Sequence, residues 1–250
     1  MPAEPLHLAG LAGLVLLAAI LYSSVGHAGA SGYLAAMALF DVAPAVMKPA
    51  ALVMNLAVAM VGTWRFAAAK LVPWRLLVPL CLGSVPAAFV GGLLTLPTKA
   101  HRALLGAVLL FAAARLWLKD EAGGERRPAP APPWLVPLGA AMGLVAGLTG
   151  VGGGVFLSPL LILAGWEDPR RTAGASAAFI LPNSAAGLLG HLRGEGTIPG
   201  GTTALVLVAL LGGLYGSWLG VRRFRTTTLR RVLALVLVIA GAKLLSALPR

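Results

Sequence analysis

The 250-residue chain is too hydrophobic to be a water-soluble domain. Hydrophobic residues make up 58% of it, charged residues only 11%, and the mean hydropathy is +0.88. A soluble protein with so few charges could not cover its surface with polar groups. The net charge of +12 comes from Lys and Arg residues scattered among short loops between apolar runs. This placement is typical of membrane topology signals and argues against a nucleic-acid partner.

Apolar stretches along the chain predict an all-α polytopic membrane protein with the lipid bilayer as its main partner. About 20 apolar residues are needed to cross a bilayer as a helix. Two shorter apolar pieces, 29–41 and 153–166, follow glycine-containing stretches, and we interpret them as short crossings or as the return limbs of re-entrant hairpins. The longer stretches lie near residues 6–25, 49–66, 76–96, 103–118, 134–151, 172–192, 202–221 and 232–248.

The two halves of the chain resemble each other at an offset of about 126 to 129 residues, which predicts an internal duplication. The first transmembrane repeat covers 1–118, a charged and Pro-rich cytoplasmic linker covers 119–133, and the second repeat covers 134–250. The matching positions are Val25-Gly26 with Val151-Gly152, Asn55 with Asn183, Arg65 with Arg193, and Pro73 with Pro199.

The distribution of Lys and Arg predicts how these repeats are oriented. If each half crosses the membrane an odd number of times, most of the 20 Lys and Arg residues gather on the face that carries the linker. The positive-inside rule therefore favours two inverted helical repeats with both termini outside the cell.

The positions of the acidic residues limit which kinds of transport and catalysis the protein could perform. All 8 Asp and Glu residues fall in loops or at segment ends. Cation transport needs a carboxylate at membrane depth, so we do not expect it. Hydrolysis by paired carboxylates is disfavoured because no acidic residue lies within a span. Metal-dependent proteolysis is disfavoured because the sequence contains no H-E-x-x-H motif. One cysteine, Cys81, and four scattered histidines predict no metal site, and we expect neither a cofactor nor catalysis.

Glycine-rich backbone is the strongest candidate for a binding site. Gly152, Gly153 and Gly154 interrupt an apolar run, and irregular backbone at membrane depth survives only inside protein or against a cavity. Its N–H groups and the helix that follows could cradle an anion; close helix packing is the competing interpretation. The first-half counterpart contains Gly26, His27, Gly29 and Ser31, and His27 could donate a hydrogen bond, carry a proton or serve only the structure.

The two asparagines, Asn55 and Asn183, occupy equivalent places in the repeat. They could face one central site from two sides or bond neighbouring helices, and Thr149 and Ser31 would tune the size of such a site. Glycines and alanine at four-residue spacing predict close helix packing or dimerisation. These residues are Gly212, Gly216 and Gly220, and, in the first half, Gly83, Ala87 and Gly91. A homo-oligomer is therefore one possible state of the protein.

Segment 143–194, with its weaker echo in 23–55, resembles the TauE/SafE sulfite exporter family of membrane transporters. Its motif is a glycine core, then a proline, a segment of small residues and an asparagine. The echo carries His27 and Ala28 in place of glycines and Tyr33 in place of the proline. The core residues are Gly150, Gly152, Gly153, Gly154 and Pro159.

This resemblance implies a multi-pass permease of the inner or plasma membrane that exports a small anion, such as sulfite or sulfoacetate, driven by protons. The expected mechanism is alternating access around a site between the two halves. A passive anion channel, a non-transporting scaffold or assembly partner, and, as the weakest case, a membrane enzyme remain as alternatives.

Overall fold

A computed structural model describes residues 5–117, 127–194, 197–221 and 227–246. Within these ranges the chain forms ten α-helices and no β-strand, which confirms the predicted helical class. Residues 119–126 of the predicted linker lie outside them. The helices are α1 (Pro5–Ser24), α2 (Ala30–Leu39), α3 (Pro44–Ala68), α4 (Trp74–Leu93), α5 (Thr98–Trp117), α6 (Pro132–Thr149), α7 (Gly154–Leu163), α8 (Pro169–Gly194), α9 (Thr202–Val221) and α10 (Thr227–Ser246).

Six of the helices in the described ranges, α1, α3, α4, α6, α8 and α9, are long and apolar enough to cross a membrane. Helices α5 and α10 form where the sequence predicts them but do not belong to those six. The exposed surface carries large apolar side chains, including Trp64, Trp134 and Leu163, while Asn55 and Ser184 are fully buried. An apolar surface over helices of spanning length confirms a multi-pass membrane protein.

Helices α3 and α8 begin earlier than the apolar stretches suggest. Each starts at a proline, Pro44 or Pro169, ahead of the expected positions 49 and 172. Proline fits the first turn of a helix because the N–H it lacks would have no partner inside the helix there. The two helices, with 25 and 26 residues, are the longest of the described chain and pack against each other at its centre.

The two halves have the same helix order and reciprocal packing. Each contains a long helix, a ten-residue helix and three long helices. Helix α1 packs along α9, and its equivalent α6 packs along α4; helices α5 and α10 pack on each other. Such exchange of equivalent contacts is what an internal duplication produces. It supports the repeat that the sequence predicts.

Small residues let these helix pairs approach closely. A β-carbon on Gly216 would collide with the carbonyl oxygen of Ile20 in α1, and one on Gly83 would collide with that of Val136 in α6. Gly220 meets Ser24 in the same way. The glycine faces therefore serve packing within one chain, as the spacing predicts. The scaffold alternative assigned these faces to subunit contacts, and the structure corrects that assignment because they are already occupied.

Helix α2 runs back along α1. Gly32, near its start, lies against Ala18 and Tyr22 in the last turns of α1. Phe40, directly after α2, lies against Gly10 and stacks edge-on with His7 at a ring separation of 6.0 Å. The segment thus returns from the end of α1 to its beginning. Both a short crossing and the return limb of a hairpin would make these contacts.

Candidate central site

Each short helix begins at a glycine in the left-handed conformation. Gly29 precedes α2 with a φ of 103°, and Gly153 precedes α7 with a φ of 85°. Glycine is favoured in both places because a β-carbon strains this backbone conformation. No side chain caps either helix start. The first N–H groups of α2 and α7 therefore lack the side-chain partner that most helices provide.

The structure corrects the register of the two breaks. Gly26 and Gly150 both have positive φ, at 82° and 80°, and both press on the equivalent helix of the other half. Gly26 lies on Ala173 of α8, and Gly150 lies on Lys48 of α3. Gly26 is therefore equivalent to Gly150, not to Gly152 as sequence matching suggested. The sequence could not show this because backbone conformation, not residue identity, decides the alignment here.

The second break lies against the middle of α3 and α8. A β-carbon on Gly152 would lie 2.9 Å from both Asn55 Nδ2 and Ser184 Oγ. Asn55 Nδ2 also donates to the carbonyl oxygen of Gly150 over 3.4 Å. Asn55 and Ser184 are fully buried, and neither Asn55 Oδ1 nor Ser184 Oγ has a hydrogen-bond partner among the described residues. Unsatisfied buried polar atoms are rare in folded proteins and mark sites that require an explanation.

His27 connects the first break with the second. Its Nε2 lies 3.1 Å from the carbonyl oxygen of Gly154 and 3.1 Å from Ser158 Oγ. Ser158 Oγ lies 2.6 Å from Ser176 Oγ on α8, and His27 Nδ1 lies 3.3 Å from the carbonyl oxygen of Val25. The imidazole and two hydroxyls thus form a chain of hydrogen bonds that can reverse its direction when His27 gains or loses a proton.

The remaining predicted residues divide between the site and local structure. Ser31 is buried on α2 and shares a cavity lining with His27. Thr149 Oγ1 donates to the carbonyl oxygen of Val145 over 2.7 Å and accepts from Val151 N over 3.4 Å, so it closes the end of α6. Asn183 Nδ2 donates to Phe179 within its own helix over 2.7 Å. The neighbouring Ser184, not Asn183, is therefore the polar α8 side chain next to Gly152, where it lies beside Ile180.

The cavities described beside His27 are small. Two cavities of about 10 Å³ each flank His27, one towards Gly62 and Phe66 and the other towards Ser31 and Val151. A cavity of about 10–15 Å³ holds one water molecule. An anion with four heavy atoms does not fit in either space.

Ser158, Ser176 and Ser184 are the members of the site that sequence reasoning missed. Serine often packs or forms hydrogen bonds between membrane helices, so its presence alone does not indicate a functional site. Ser158 contacts His27 across 131 residues of chain. The position of Ser184 directly after Asn183 was the one available hint.

Comparison with known proteins assigns the chain to a family. The family model described as sulfite exporter TauE/SafE matches residues 11–244. A protein of Sinorhizobium fredii, described as the probable membrane transporter protein y4hK, is 37% identical over 241 residues, which cover 94% of this chain and 97% of the relative. No solved structure matches. The chain is a membrane transporter that belongs to the sulfite exporter TauE/SafE family.

Proposed function

We propose that the protein exports small sulfur-containing oxyanions of the sulfite type across the inner or plasma membrane, by alternating access coupled to protons. The name of the family supports the substrate class. One structural observation carries the site: two helix starts without side-chain caps, at Gly29 and Gly153, belong to breaks that meet at the partly buried His27.

An anion suits this place electrostatically. The start of a helix carries a partial positive charge and unsatisfied N–H groups, which favour an oxyanion. Asn55 Nδ2 and Ser184 Oγ stand next to Gly152 as additional donors. The acidic residues in the described part of the chain, Asp41, Glu167 and Asp168, lie between helices and not in the central site. No carboxylate of these ranges would repel the bound anion there.

The small size of the cavities beside His27 supports a carrier over an open channel. The cavities next to His27 hold about one water each, so the anion requires a conformation in which the two breaks separate. Helices α3 and α8, which belong to different halves, contact each other at this level and would shift relative to each other. Alternating access provides such a movement without a continuous pore.

Parallel helix pairs support opposite orientation of the two halves. Gly212, Gly216 and Gly220 of α9 meet Leu16, Ile20 and Ser24 of α1 in the same order. Helices α1 and α9 therefore run in the same direction. Helix α9 is the fourth helix of its half. If successive helices alternate in direction, the first helix of that half, α6, runs opposite to α9 and therefore opposite to α1. The two halves are then inverted relative to each other.

The hydrogen-bond chain of His27, Ser158 and Ser176 supports proton coupling. Imidazole changes its charge near neutral pH. A positive His27 would favour the bound anion by charge attraction, and a neutral His27 would favour its release. Transport of the anion would then move a proton in the same cycle.

The test is sulfite flux in proteoliposomes with an imposed pH gradient. We expect Gly152→Ala to abolish flux, because its methyl group would press on Asn55 and Ser184 and strain a φ of 78°. Gly165→Ala is the matched control, since Gly165 also has a positive φ, 70°, but lies between α7 and α8. Wild-type flux in Gly152→Ala would overturn the central site.

A binding measurement identifies the substrate independently of flux. Sulfite at about 100 times its Kd should stabilise the detergent-purified protein by about 2.7 kcal/mol, whereas chloride should not. Stabilisation by chloride and sulfite alike would contradict a sulfur-oxyanion site. Flux that dissipates an anion gradient without moving protons would favour a passive channel.

A further inference from the structure

A second polar cavity lies at one end of the helix bundle. It has a volume of about 180 Å³ and lies where α3 and α5 begin and α4 and α8 end. This volume is far above the roughly 10–15 Å³ that one water needs. The polar side chains that line it are Lys48, Thr95, Thr98, His101 and His191. None of its lining residues is acidic.

Lys48 is a buried cation with a defined structural role. It is 6% exposed, and its Nζ donates to the carbonyl oxygens of Gly91, Gly92 and Leu94 over 3.1, 2.9 and 3.2 Å. These bonds hold the end of α4 and use the donors of the ammonium group. Hydrogen bonds to carbonyl oxygens do not neutralise the ammonium group, so Lys48 brings positive charge to the wall of the cavity.

His101 has a buried atom that the fold leaves unexplained. Its side chain lines the cavity, the residue is only 8% exposed, and its Nε2 has no hydrogen-bond partner in the described ranges. His191 of α8 lines the same space. Thr98, the first residue of α5, also lines the cavity, so the positive end of that helix lies beside it.

We propose that this cavity is a second anion-binding site, which takes a small oxyanion from solution. His101 and His191 would bind its oxygens directly, Thr98 would donate from its hydroxyl group, and Lys48 would supply charge without direct contact. The site is separate from the two glycine breaks, and its anion binding does not require that the protein transport anything.

The position of the cavity suggests how it would serve transport. A β-carbon on Gly150 would lie 2.9 Å from the Lys48 carbonyl oxygen, so Lys48 both lines the cavity and contacts the second break. In the topology that the sequence predicts, this end of the bundle faces the outside. An exported anion would pass the cavity after it leaves the centre. The equivalent of Lys48 in the second half is Ala173, so the other end lacks this lysine.

Binding should depend on pH. Among the described residues, the titratable groups that line the cavity are Lys48 of α3, His101 of α5 and His191 of α8. Burial, and then the nearby Lys48, lower the pKa of His101 from its ordinary value of 6.5. A bound oxyanion favours the protonated form of His101, so affinity should rise as the pH falls below that value.

The test is isothermal titration of the detergent-purified full chain with sulfite at pH 6 and pH 8, with chloride as the reference anion. We expect His101→Gln to weaken one sulfite site about tenfold at pH 6, because it removes the imidazole that would bind the anion. Gly152→Ala should leave that site intact. Arg102→Gln, on the same helix but outside the cavity lining, should change its Kd less than about twofold.

Unfolding temperatures without anion would show whether each variant is folded, and His191→Gln replaces His101→Gln if the latter is unstable. Unchanged sulfite binding in the folded variants would overturn the proposal, as would an equal loss in Arg102→Gln. Binding that depends on His101 in a protein without sulfite flux would support this site while refuting the proposed transport.

A lipid phosphate has the same chemistry as a free oxyanion, so one arm of the experiment uses short-chain phosphatidylglycerol. If this lipid stabilises the wild type but not His101→Gln, and sulfite stabilises neither, the cavity belongs to a lipid headgroup and the proposal of a free anion fails. Sulfite binding that persists when the lipid is present supports the proposal.

Discussion

Gly29 and Gly153 have φ values of 103° and 85°, and Gly26 and Gly150 have φ values of 82° and 80°. The two halves share a backbone conformation at these two pairs, but Gly152, between Gly150 and Gly153, has a φ of 78° that no residue between Gly26 and Gly29 matches. His27 and Ala28 stand between Gly26 and Gly29 and are not among the residues with positive φ. A side chain is therefore tolerated at both positions. The first half retains the glycines that its conformation needs and places a titratable group between them.

At this scale we expect His27→Gln to uncouple anion movement from protons. Glutamine can still donate a hydrogen bond to the carbonyl oxygen of Gly154, but it cannot titrate. Sulfite flux should persist and lose its dependence on an imposed pH gradient, measured with an internal pH dye in proteoliposomes. Ser217→Ala, a buried serine of α9 outside the hydrogen-bond chain, is the control. A gradient dependence equal to that of the wild type would remove His27 from the coupling step.

Among the helices, close approach between the halves depends on columns of small residues. Helix α9 meets α1 at every fourth residue, and α6 meets α4 in the same manner, with Gly139, Gly143 and Gly147 against Leu80, Ser84 and Ala88. Helices in a bilayer gain little from hydrophobic burial against each other, so close van der Waals packing must hold them together. The fit at these columns therefore decides whether the two halves stay together.

Gly216→Leu should destabilise the monomer without changing its oligomeric state. The leucine side chain would collide with the carbonyl oxygen of Ile20, and overpacking of this kind costs about 1–3 kcal/mol or more. Gly13→Leu on α1 is the matched control, because a β-carbon there meets nothing within 4 Å. Thermal unfolding and size-exclusion chromatography in detergent measure both effects. A dimer in the wild type that only Gly216→Leu dissociates would instead restore the subunit-contact interpretation.

For the whole molecule, the positive-inside rule predicts that the α4–α5 loop faces outside and the α3–α4 loop faces the cytoplasm. The chain contains one cysteine, so Cys81→Ser provides a cysteine-free background. In that background, Lys99→Cys should react with an impermeant thiol reagent in intact cells. Ala69→Cys should react only after the membrane is permeabilised. Both substituted positions are exposed. The reverse pattern of labelling would invert the topology, and equal labelling of both would contradict a spanning arrangement of α4.

Composition and periodic placement of apolar residues were sufficient to predict the membrane class and the helical segments. These features depend on transfer of side chains into hydrocarbon, which each segment undergoes almost independently of its neighbours. The glycine breaks were visible for a similar reason, since a glycine-rich run in an apolar stretch destabilises a helix by itself. His27 and Asn55 were identifiable because polar residues are rare within such stretches.

Only the tertiary structure decided which residues form the sites. Ser158 reaches His27 across 131 residues, and Lys48 reaches the end of α4 across 43 to 46 residues. His101 and His191 come from different halves and line one cavity. Such contacts depend on which helices pack together and at which height. Local sequence specifies whether a segment enters the membrane, but the fit between distant helix surfaces determines what surrounds each polar group.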